Sequence, residues 1–198
     1  YSLLTMHLIV VLLGLTGVLG KLIETGSTVL VWYRMLIAFL FLVVYILFKS
    51  NTLRVSKKHF IQIIGIGCIV ASHWLLFFES IKVSNVSVAV VCMGTSSLFS
   101  SILEPLIINR KIFLREIILA IIVLVAIVIA MNADFSYVKG YVYGIAAAFL
   151  GTLFTILNAL FVDKVESEKI TSIEMLGGFL FVSVYMLFFN SFSFTELV

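Results

Sequence analysis

Residues 34–48 read RMLIAFLFLVVYILF, and residues 174–188 read EMLGGFLFVSVYMLF. Nine of the 15 aligned positions are identical, although the two stretches start 140 residues apart. Each is an apolar run led by one charge, arginine in the first copy and glutamate in the second. A helix needs roughly 20 apolar residues to cross a bilayer core. Seven segments come close to that length: 3–20, 28–48, 60–80, 86–108, 114–132, 140–162 and 170–190. Short polar links such as KSNTLRVSKKH (49–59) and DKVESEK (163–169) join them.

Composition points the same way. The chain is 63% hydrophobic and 12% charged, where soluble domains run at about 45–50% and about 25%. The fold class is all-α integral membrane. The net charge of +3 is spread over short loops and offers no face for nucleic acid. Cys68 and Cys92 both fall inside apolar spans, which argues against a disulfide or a metal site. There is no nucleotide-binding glycine loop, no His-Glu-x-x-His and no nucleophile with a base nearby, so neither an enzyme nor ATP-driven transport is expected, and no cofactor. The first span lacks a basic leader and a cleavage site, and reads as a membrane helix rather than a signal. Because the chain opens on Tyr1 and closes at Val198, it is read as a fragment.

Lysine and arginine set the orientation. One set of loops holds Lys49, Arg54, Lys57, Lys58, Arg110, Lys111, Arg115, Lys164 and Lys169; the other holds Lys21, Lys82 and Lys139. The first set is expected in the cytoplasm, together with the N-terminus.

The second span thus matches the seventh. More weakly, LLGLTGVLGKLI (12–23) in the first matches FLGTLFTILNAL (149–160) in the sixth, with Gly14 over Gly151. The repeating unit is five helices long. Five is odd, so the copies enter the membrane from opposite sides, an inverted repeat of the kind secondary transporters use. Residues 1–132 form the first unit, and 140–198 begin the second. Seven transmembrane helices of an expected ten are present.

At this point the chain resembles the EamA-type members of the drug/metabolite transporter superfamily. The resemblance is strongest over 73–130, HWLLFFESIKVSNVSVAVVCMGTSSLFSSILEPLIINRKIFLREIILAIIVLVAIVIA, and extends to YRMLIAFLF (33–41). Two features depart from the family pattern. The family carries a proline where Ser97 stands, whereas Pro105 comes eight residues later; its Gly-Glu pair is replaced by Asn109-Arg110. The resemblance implies ten helices and export of small metabolites or drug-like molecules, amino acids among them, across a bacterial inner membrane by alternating access. The expected partners are a small-molecule substrate, membrane lipid and a coupling proton, and the class is compatible with a homodimer.

Several residues can carry chemistry. Arg34 inside a span is costly, about 2.5–3.5 kcal/mol at a helix centre. It either snorkels to the near interface or faces a cavity and holds an anionic group, such as a carboxylate, in its planar fork. His73 can sense protons or bond a substrate, or bond a neighbouring helix instead. Trp74 is either a cavity wall or a lipid-facing residue. Thr95, Ser96, Ser97, Ser100 and Ser101 run along the fourth span, some packing helices and others lining a polar path. Glu104, beside the helix-breaking Pro105, suits a gate or proton site, or simply pairs with Arg110 or Lys111. Glu79 reads as solvated. Glu174 is a gate candidate because it stands where Arg34 stands in the other copy. His7 and Asn158 are weaker cavity candidates, and the glycines at 14, 17, 20, 140, 144 and 151 are read as helix-packing positions. The rival readings are a membrane-embedded enzyme using His73 and Glu104, and a channel or scaffold without a transport cycle.

Overall fold

The computed structural model describes residues 2–50, 52, 54–130 and 135–189. The last residues of the expected fifth and seventh spans, and of the second repeat unit, lie outside that set. Every regular element among the described residues is helical. They are α1 (Ser2–Leu22), α2 (Ser27–Ser50), α3 (Lys57–Val83), α4 (Val86–Met93), α5 (Ser96–Ile108), α6 (Leu114–Ala130), α7 (Val138–Ala159) and α8 (Ser167–Phe188). A 3-10 turn, Phe135–Tyr137, leads into α7. Six segments are long and apolar enough to cross a membrane: Leu3–Leu22, Ser27–Lys49, Lys57–Val83, Val86–Ile108, Val138–Ala159 and Ser167–Phe188. Helix α6, described over 17 residues, occupies the remaining expected span.

The helix ends follow from local chemistry. Ser56 caps α3 by accepting from the His59 amide, and Asn85 caps α4 by accepting from the Val88 amide. Asn109 ends α5 in the left-handed region (φ 57°), which asparagine tolerates better than most residues.

The expected fourth helix is two helices. At Gly94 and Thr95 the backbone bonds tighten: the Gly94 amide donates to Val91 O and the Thr95 amide to Cys92 O, each three residues back. Thr95 Oγ1 also donates to Cys92 O at 2.7 Å, diverting a carbonyl from the regular ladder. The backbone stays right-handed helical through this tightened turn, which opens the hydroxyl-rich part of the span.

Helix α3 is the centre of the bundle and packs on α7 and α8; α2 packs on α8, and α4 and α5 pack on α7. The core contains Val31, Met35, Ile63, Phe78, Ile81 and Val182, all essentially inaccessible. Large apolar side chains such as Leu4, Phe48, Ile129 and Leu187 cover the outside. Without water around them, such surfaces do not drive assembly; close packing and interhelical hydrogen bonds do.

The pair α2–α8 is antiparallel. Trp32 meets Phe179 and Ser183, Met35 meets Gly178, and Lys49 forms an ion pair with Glu168. Where the two copies differ most, Ile37-Ala38 against Gly177-Gly178, their surroundings differ as well. Ile37 is exposed, whereas Gly177 lies against the Ile64 carbonyl of α3, where an added Cβ would come within 2.5 Å of the oxygen.

Candidate functional site

Arg34 sits about two turns into α2, facing α3. Its guanidinium carbon lies 3.6 Å from the centroid of the Trp74 ring, a cation–π stack. The Trp74 ring in turn stacks on Phe78 at 5.7 Å, and Phe78 is fully buried, so the platform is rigid. Such a stack is worth about 0.5–2 kcal/mol depending on desolvation. A contact of this kind leaves guanidinium N–H groups able to donate to a ligand. Among the described residues, no carboxylate pairs with Arg34.

His73, the next residue on α3, is engaged elsewhere. Its Nδ1 donates to the Ala147 carbonyl at 2.7 Å, the tautomer following from that acceptor. The ring meets Phe154 edge-on at 5.5 Å and lies against Gly151 of α7. His73 thus fastens α3 to α7, beside the Arg34–Trp74 stack but turned away from α2.

The hydroxyl-rich segment faces α7. Ser96, Ser97 and Ser100 line a recess of about 340 Å³ with Gly151, Thr152 and Thr155. Thr95 and Ser101 are buried, donate to carbonyls three residues back, Cys92 O and Leu98 O, and do not line that opening. Thr152, which donates to Ala148 O and reaches Ser96 O at 3.4 Å, belongs to the recess although the sequence did not single it out.

A second recess of about 390 Å³ shares Ser97 and Ser100 and extends to Glu104, Arg110 and Glu116. Arg110 holds both carboxylates. Its Nε and Nη2 donate to Glu104 at 3.2 and 3.4 Å, and its Nη1 and Nη2 to Glu116 at 3.3 and 2.8 Å. Nη1 also donates to Lys111 O, so all five donors of the fork are used. Bonds to Glu116 and then Glu104 push the Arg110 pKa above its ordinary value. Glu116 was not among the sequence candidates; its place in the first turn of α6 was the available signal. Pro105 is buried inside α5, one residue after Glu104.

Asn158 and Glu174 form a third place, on α7 and α8 near the end of the bundle that carries Lys49, Lys57 and Lys164. The carboxyl has Asn158 as its polar neighbour and is 4% exposed. The Glu174 backbone carbonyl lies against Gly67 of α3. Taking Met35 as level with Gly178, Arg34 and Glu174 stand about five residues, roughly 7.5 Å, apart along the bundle axis at 1.5 Å per residue. They do not pair. Of the remaining candidates, Glu79 accepts from Ser27 Oγ at 2.7 Å, tying α3 to the start of α2, and His7 Nδ1 lies 2.7 Å from Leu3 O within its own exposed helix.

A bundle of long apolar helices with charged side chains held inside it defines a polytopic membrane protein. The model of the EamA-like transporter family matches residues 1–132, two thirds of the chain, and the chain belongs to that family. No curated protein and no solved structure matches it significantly.

Proposed function

We propose that the chain forms the first seven helices of a ten-helix secondary transporter. It exports small molecules bearing an anionic group, amino acids or related metabolites, across a bacterial inner membrane by alternating access. The observation that carries this reading is Arg34: a cation inside a membrane span, stacked on Trp74, with no carboxylate of its own. A snorkelling anchor would direct its head to the interface; the head of this one sits over the Trp74 ring of α3. Antiparallel packing of α2 on α8 supports the inverted repeat, as does the end of the family match at residue 132, before the second copy begins. His73 bonds α7 and Glu104 bonds Arg110, which leaves the enzyme reading without a shared site.

Transport of radiolabelled amino acids by the full-length protein in liposomes tests the proposal. Arg34→Lys should impair it, because a point charge cannot reproduce a two-pronged contact. Arg34→Ala should impair it further. Normal transport by both variants at equal expression would remove Arg34 from the site.

A further inference from the structure

Two buried side-chain polar atoms among the described residues lack a hydrogen-bond partner, Glu174 Oε1 and Asn158 Oδ1. They belong to neighbouring side chains on α8 and α7. The Asn158 amide N–H serves the Glu174 carboxyl, but with Glu174 ionised both orphaned atoms, Oε1 and Asn158 Oδ1, are acceptors that no donor reaches. A buried, unpaired carboxylate within a membrane span is expensive. One proton on Glu174 removes the charge and supplies an O–H.

The charged groups on the surrounding elements do not take that role. On α8 and its entry, Lys169 pairs with Glu166, and Glu168 pairs with Lys49 of α2. Arg34 of α2 stacks on Trp74. On α3, taking Gly67 as level with Glu174, His59 lies about 12 Å toward one end, against Phe161, and Lys57 and Lys58 lie beyond it. His73, about 9 Å the other way, bonds Ala147 O, with Glu79 and Lys82 farther still. On α7, Lys139 is at the opposite end of the helix from Asn158, and Asp163 and Lys164 are exposed in the link after it.

We infer that Glu174 is a proton-binding site of the transport cycle: its carboxyl is protonated while closed against Asn158, and gives up the proton when α8 parts from α3 and α7. On opening, the O–H bond breaks, the proton passes to water and a hydrated carboxylate remains. Reclosure requires the proton back. Where the proton is released to water on one side of the membrane and taken up from the other side in the alternate open state, each cycle carries one proton across, which gives the transporter proposed above its coupling ion and rests on that reading.

Infrared spectroscopy of the full-length protein in liposomes at neutral pH tests the site without a substrate. Wild type should show the carbonyl band of a protonated carboxylic acid, shifted in deuterium oxide. Glu174→Gln should lose the band, Glu174→Asp should keep it at a shifted position, and Asn158→Leu should move it. No band, or the same band in Glu174→Gln, overturns the inference. Coupling is read from accumulation of labelled amino acids driven by an imposed pH gradient, which wild type should show and Glu174→Gln should lose. Wild-type accumulation indifferent to the gradient overturns the coupling. Absence of transport under every condition overturns the transporter reading instead, and the band still decides the proton site.

Discussion

Trp32 donates its indole N–H to Ser183 Oγ across 2.8 Å, and Ser183 Oγ donates to Phe179 O at 2.7 Å. The bond joins α2 to α8, the two helices with matching text, through positions the match does not share: the counterpart of Ser183 is Val43, and that of Trp32 is Ser172. An interhelical hydrogen bond in a membrane protein contributes about 0.6 kcal/mol on average and up to about 1.7. Trp32→Phe and Ser183→Ala should each lower stability in detergent, and a double-mutant cycle should return a coupling in that range. A coupling of zero would mean the bond does not form in solution.

The α3–α8 contact depends on a missing Cβ. At Gly177 an added methyl would meet the Ile64 carbonyl, so Gly177→Ala should cost about 1–3 kcal/mol in thermal unfolding. Gly14 has nothing within 4 Å of its would-be Cβ, so Gly14→Ala should be neutral or stabilise by up to about 1 kcal/mol. Equal effects at the two sites would refute the packing described for α8.

Arg110 ties the ends of α5 and α6 through Glu104 and Glu116. Arg110→Gln should raise amide hydrogen exchange over 104–116, and Arg110→Lys should restore protection only in part, because an ammonium lacks the fork that reaches both carboxylates. Unchanged exchange in both variants would show the network to be dispensable.

Orientation is testable with single cysteines. Lys57 and Ser136 are both exposed, at opposite ends of the bundle. In intact cells a membrane-impermeant thiol reagent should label Ser136→Cys and spare Lys57→Cys. Labelling of Lys57→Cys would reverse the proposed topology.

The positions of the apolar spans, the helix class and the family were legible in the chain because they depend on one-dimensional quantities. A bilayer selects runs of about 20 apolar residues wherever they occur, and the run lengths alone separate seven spans. Charges stood out for the same reason: Arg34, Glu104 and Glu174 are conspicuous against an apolar background. The tightened turn at Gly94–Thr95 was less visible, since the apolar run continues through it and the change is confined to local backbone bonding.

What each charge touches was decided by the tertiary structure. The sequence left Glu104 open between a gate and a partner of Arg110, and Arg34 open between an anchor and a cavity cation. Helix rotation and neighbour choice resolve those contacts: Arg110 folds back on Glu104, Trp74 of α3 rises beneath Arg34, and Asn158 of α7 is brought beside Glu174. A span's length is written in its own residues. The direction its side chains face is set by which other helices pack against it, and in lipid that choice falls to close contacts such as Gly177 on Ile64 and to single polar bonds such as Trp32 to Ser183.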